Sequence, residues 1–74
     1  MFYWRTKRRV GELLRKKRIE IGASQEYISF EISIDRMGLS LLENGKANPT
    51  LYILLKLCGA LNIKLWRLLR EVDV

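Results

Sequence analysis

Read for its hydrophobic and polar positions, the chain falls into five segments with helical spacing, and no comparable window shows the alternation of a strand. From about Arg9 to Ile21, the positions Val10, Leu13, Leu14, Lys17 and Ile21 share one face, and Gly22 follows as the left-handed residue with which helices commonly end. Ser24 supplies an N-cap for a second segment over 25–32, in which Ile28 and Ile32 lie four apart and Tyr27 and Phe30 flank them. Asp35 caps a third, which turns Leu39 and Leu42 inward before Asn44 and Gly45 end it. Pro49 or Thr50 starts a fourth, with Leu51, Leu54, Leu55, Cys58 and Leu61 as its expected buried stripe. A fifth covers about 65–71 and repeats the pattern with Leu65, Leu68, Leu69 and Val72. Short connections, no internal repeat and no linker make this a compact all-α bundle.

Composition narrows the function more than the fold. The 74 residues suffice for one domain, and their 49% hydrophobic content with a single Pro is that of a folded chain. So short a domain buries only about 60% of its unfolded surface, so oligomerisation would help it. With one cysteine, Cys58, and no histidine, a disulfide scaffold and a His/Cys metal site are both excluded. No apolar run approaches the roughly 18 residues of a membrane span, and Met1-Phe2-Tyr3-Trp4 precedes its basic cluster where a signal peptide would follow one. A cytoplasmic protein is expected, with no membrane, cofactor or small-molecule ligand. The lack of histidine, of a Gly-rich phosphate loop after a strand and of paired carboxylates leaves no catalytic constellation to assemble, so the chain does not read as an enzyme.

Charge points to a polyanionic partner, and it is unevenly placed. The net charge of +6 and pI of about 9.9 favour nucleic acid or an acidic surface. Residues 1–18 hold eight basic side chains and one acidic, a net of +7, whereas residues 19–74 hold six and seven, a net of −1. The expected organisation is therefore a basic N-terminal arm over 1–8, with Arg5, Lys7, Arg8 and the adjoining Arg9 supplying nonspecific attraction to such a partner, and a folded domain over 9–74.

Two helices joined by a three- or four-residue turn, the second short and capped at both ends, have the shape of a helix-turn-helix. The spelling goes further. Ser24-Gln25-Glu26-Tyr27-Ile28-Ser29, Leu39-Ser40-Leu41-Leu42-Glu43-Asn44-Gly45-Lys46, Asn48-Pro49-Thr50-Leu51 and Ala60-Leu61-Asn62-Ile63 follow, without a gap, the pattern S-Q-E-x-L-A, then I-x-x-x-E-x-G-x-x-x-P-[ST], then A-L-x-[VI]. This resembles the Cro and phage-repressor type of helix-turn-helix, also called the xenobiotic response element (XRE) family. Gly11, Leu14, Arg15 and Arg18 match its first helix, so the resemblance spans about 11–72. It implies a five-helix, lambda-repressor-like fold. Ser33 departs from it, standing where the turn is usually Gly.

If the third helix enters the major groove, Met37, Ser40, Leu41 and Asn44 share its outer face, with Arg36 at the N-terminal edge. Arg36 is the expected base reader, since a guanidinium can engage both major-groove acceptors of guanine. Met37 and Leu41 would meet only thymine methyl groups or sugar edges, and Ser40 lies between them. The resemblance assigns phosphate binding to Gln25; Asn44 and Lys46 are placed around the following loop for the same role, and Gly45 is structural. In similar proteins Arg18 pairs with Glu43 to lock the first and third helices, and the last helix dimerises; Leu65, Trp66 and Leu69 are the expected homodimer contacts. The function expected is a sequence-specific regulator of transcription, a repressor binding a near-palindromic operator in double-stranded DNA as a dimer. The apolar Met37 and Leu41 keep open an alternative, a protein-binding adaptor or antitoxin-type module on the same fold.

Overall fold

The structure, a computed structural model, describes residues 3–72 and contains five helices: α1 (Tyr3–Glu20), α2 (Gln25–Glu31), α3 (Arg36–Glu43), α4 (Leu51–Ala60) and α5 (Leu65–Val72). Met1 and Phe2 of the expected arm, and Asp73 and Val74 of the expected domain, lie outside the described residues. The all-α bundle is as the spacing predicts. The start of α1 is not: it begins at Tyr3 instead of near Arg9, so residues 3–8 form its first turns. Nothing between Trp4 and Arg9 breaks a helix, and Arg and Lys are good helix formers. Arg8 and Arg9 also reach toward Glu12 one turn on, at 4.0 and 3.8 Å.

Four helices end in one way. Gly22, Ser33, Gly45 and Asn62 take φ values of 74°, 59°, 71° and 58°. The amide of the next residue then donates to a carbonyl five back: Ala23 to Arg18 at 3.1 Å, Ile34 to Ser29 at 3.0 Å, Lys46 to Leu41 at 2.9 Å and Ile63 to Cys58 at 2.9 Å. These are Schellman closures, which satisfy the last carbonyls of each helix. New helices start on side-chain caps. Ser24 Oγ accepts from the Tyr27 amide at 3.0 Å, Asp35 Oδ1 from Gly38 at 2.6 Å and Thr50 Oγ1 from Ile53 at 3.1 Å. Thr50 is thus the cap of α4, and Pro49 stands just outside the helix.

Leu14, Ile28, Leu39, Leu57 and Leu61 are fully buried at the centre of the core, each burial contributing about 1.5–3 kcal/mol. The buried face of α4 differs from the expected stripe. Cys58 and Leu61 are buried and Leu54 partly so, but Leu57 takes a central place while Leu51 and Leu55 are exposed. Apart from Lys56 and Gly59 the segment is apolar on every side, so its own pattern selects no face. Packing against α2 and α5 makes that choice.

Candidate nucleic-acid interface

The eight-residue α3 turns Leu39 and Leu42 into the core and presents the opposite side to solvent. Arg36 is exposed and forms no ion pair among the described residues, and the neighbouring Asp35 carboxylate accepts from the Gly38 amide. Met37 is 72% and Leu41 41% exposed; Ser40 between them is half-buried. The structure therefore brings Arg36, Met37, Ser40 and Leu41 onto one accessible surface. Asn44 closes it: its Nδ2 donates to the Ser40 carbonyl at 2.8 Å and approaches Ser40 Oγ at 3.4 Å. Lys46 follows, exposed, immediately past the turn at Gly45.

Behind this surface lies an ion pair. Arg18 Nε donates to Glu43 Oε2 at 2.7 Å and Arg18 Nη2 to Glu43 Oε1 at 2.9 Å, with only 11% and 2% of the two side chains exposed. Arg18 Nη1 donates to the carbonyl of Ala23, in the turn that follows α1, at 2.9 Å. Glu43 pushes the guanidinium above its ordinary range, by its hydrogen bonds first, against the lowering effect of burial and with a smaller addition from its charge. Gln25 joins the cluster, Nε2 donating to Glu43 Oε1 at 2.9 Å. One amide proton of Gln25 is thus committed within the protein, and that bond fixes the side chain at the start of α2. The sequence pattern does not reveal it, since nothing in the spacing of Gln25 and Glu43 marks them as partners.

Two close backbone approaches set the angle between α1 and α3. A Cβ on Gly11 would overlap the Leu42 carbonyl oxygen and lie 2.7 Å from that of Glu43. A Cβ on Gly45 would lie 2.6 Å from the Arg8 Cα. The first turns of α1 therefore run directly beside the loop that follows α3. An open groove there is lined by the cations Arg8, Arg15 and Lys16, by the carboxylates of Glu12, Glu20 and Glu43, and by Ile19 and Asn44. Of the expected dimer contacts, Trp66 and Leu69 are exposed, whereas Leu65 packs partly against the core. Leu51, Tyr52 and Leu55 of α4 add exposed apolar surface that the expected stripe had placed inside.

Fold and site together define a five-helix DNA-binding domain whose α2 and α3 are the helix-turn-helix. The helix-turn-helix family pattern matches residues 14–65. The restriction-modification controller protein C.AhdI from Aeromonas hydrophila is similar in structure with a TM-score of 0.76 and 35% identity, over 88% of this chain and 92% of that one. The clp gene regulator ClgR from C. glutamicum shares the fold with a TM-score of 0.85 and 24% identity, over 90% and 87%. No curated protein matches in sequence. The chain belongs to the helix-turn-helix family, of the Cro and phage-repressor (XRE) type, a class of DNA-binding transcription regulators and not of enzymes. Among the described residues no helix is long and apolar enough to cross a membrane.

Proposed function

We propose that this protein is a cytoplasmic, sequence-specific repressor of transcription that binds a near-palindromic operator as a homodimer. The observation that carries the reading is the accessible, unpaired Arg36 on the outer face of an α3 whose far end is anchored by the buried Arg18–Glu43 pair. Arg36 reads guanine, discriminating by about 1–3 kcal/mol, and Met37, Ser40 and Leu41 fill the groove beside it. Gln25, Asn44 and Lys46 hold phosphates on either side. Trp66 and Leu69, with a smaller share from Leu65 and with Leu51, Tyr52 and Leu55 of α4, form the contact with a second copy, setting two α3 helices about 34 Å apart. C.AhdI, a restriction-modification controller, supports a role in controlling genes.

Selection of bound sequences from random duplex DNA tests this. The wild type yields a two-fold symmetric site, and Arg36→Ala loses its preference at one base position per half-site. The adaptor reading rests on the exposed Met37 and Leu41, to which Phe30, 80% exposed on α2, adds apolar surface. It gains if Arg36→Ala and Gln25→Ala leave every DNA complex unchanged.

A further inference from the structure

We infer, building on the DNA-binding reading above, that the first turns of α1 are a rigid second grip on the DNA backbone, continuous with the loop after α3. Two observations separate this from a basic tail. Residues 3–8 are helical in one piece with α1, and Arg8 is held by backbone contact against Gly45, next to Asn44 and Lys46. A side chain on these turns therefore has a fixed position relative to the loop. At 100° per residue, Trp4, Arg8 and Arg15 fall along one edge of α1, at spacings of four and seven. That edge is the one that borders α3, since Arg8 and Arg15 line the same groove as Asn44. Arg5 is drawn toward it, its guanidinium lying 5.1 Å from the centre of the Trp4 ring.

The occupant follows from charge. The described cations of this edge continue the Asn44–Lys46 loop, while the rest of the chain beyond residue 18 is nearly neutral. A polyanion lying on the loop meets Arg8, Arg15 and Arg5 next, and the duplex backbone flanking the operator is the polyanion already in place. The counter-charges of this edge are Glu12, within 4.0 Å of Arg8 and 3.8 Å of Arg9, and Glu20, within 4.0 Å of Lys17, while Glu43 is already taken up by Arg18.

The test inserts two glycines between Arg9 and Val10, which retains every charge and uncouples the first turns from the domain. Binding of wild type and variant to the selected operator is followed against salt, with hydroxyl-radical footprints of both complexes. A rigid grip on two phosphates predicts that the insertion lowers the slope of log K against log salt by about 1.8, about 0.9 per phosphate, and shortens the footprint on its flank. Equal slopes and footprints overturn the grip and leave a tail, with the regulator reading intact. If the wild type itself selects no sequence, both readings fall. Circular dichroism shows whether the rest of the helices survive the insertion; if they do not, Glu12→Gln decides. It frees Arg8 and Arg9 without touching the core, and should tighten binding several-fold and lose that gain in a duplex trimmed to the operator. No gain with the full duplex, or the same gain with the trimmed one, overturns the grip.

Discussion

Where α1 crosses α3, two backbone approaches at Gly11 and Gly45 and the buried Arg18–Glu43 pair leave little freedom, and every polar atom of the pair has a partner. Across α4 and α5, Leu51, Tyr52, Leu55, Trp66 and Leu69 remain between 44% and 67% exposed. The first region is complete within one chain; the second holds apolar surface that the small core does not use. Specific contacts are thus concentrated where α3 must be aimed, and non-specific burial capacity is left where a second copy is proposed to dock. For so small a domain, that division lets aim and stability be set by different residues.

The largest effect belongs to the first region. Glu43→Gln preserves the shape and strands Arg18 in a site from which water is mostly excluded, so unfolding in urea should show a loss of about 3–5 kcal/mol. Unchanged stability with loss of DNA binding would move the pair from scaffold to readout. The second region responds in another currency, protein concentration. If α4 and α5 join two copies, the wild-type Tm rises with concentration, by the equivalent of about 2.7 kcal/mol at a hundredfold excess over the dimer Kd. Leu55→Lys with Leu69→Lys should abolish that dependence and sediment as a monomer. A wild type whose Tm ignores concentration removes the dimer.

The two regions were also unequally legible in the sequence. Ser24, Asp35 and Thr50 announce helix starts by their side chains, and Gly22 and Gly45 announce ends, so α2 and α3 emerge almost to the residue. Arg18 and Glu43 were readable through the family pattern, and they meet as implied. The start of α1 was not, because Arg5 to Arg9 are polar and basic in a helix or a tail alike, and what distinguishes the two is the contact of Arg8 with Gly45, far along the chain. The orientation of α4 escaped for the opposite reason: Leu51, Tyr52, Leu54, Leu55 and Leu57 offer several equivalent apolar faces. The outer face of α3 lay between these cases. Its side chains were assignable from spacing, but the Gln25–Glu43 bond behind it was not.

A smaller effect sharpens the comparison at the turns. Ser33 and Asn62 both adopt left-handed φ, one between α2 and α3, the other between α4 and α5. Asn tolerates that region and Ser does so at greater cost. Ser33→Gly should therefore stabilise by about 0.5–1 kcal/mol, and Asn62→Gly by less, both read from urea midpoints. Equal gains would mean that the strain is a property of the turn and not of its residue.

The smallest effect lies on the inner side of α4, opposite its exposed leucines. Burial pushes the Cys58 thiol above its ordinary 9.0, so the folded chain holds that proton more tightly than the unfolded one. The linked stability is whole below pH 9.0 and is lost as pH rises from there through the folded-state value, because the unfolded state ionises first. Cys58→Ala removes this dependence and leaves a small cavity that destabilises the variant slightly at neutral pH. The gap in Tm between wild type and variant should narrow above pH 9.0. A gap that stays constant would mean that water reaches the thiol, and that α4 opens on its inner face as readily as it exposes its outer one.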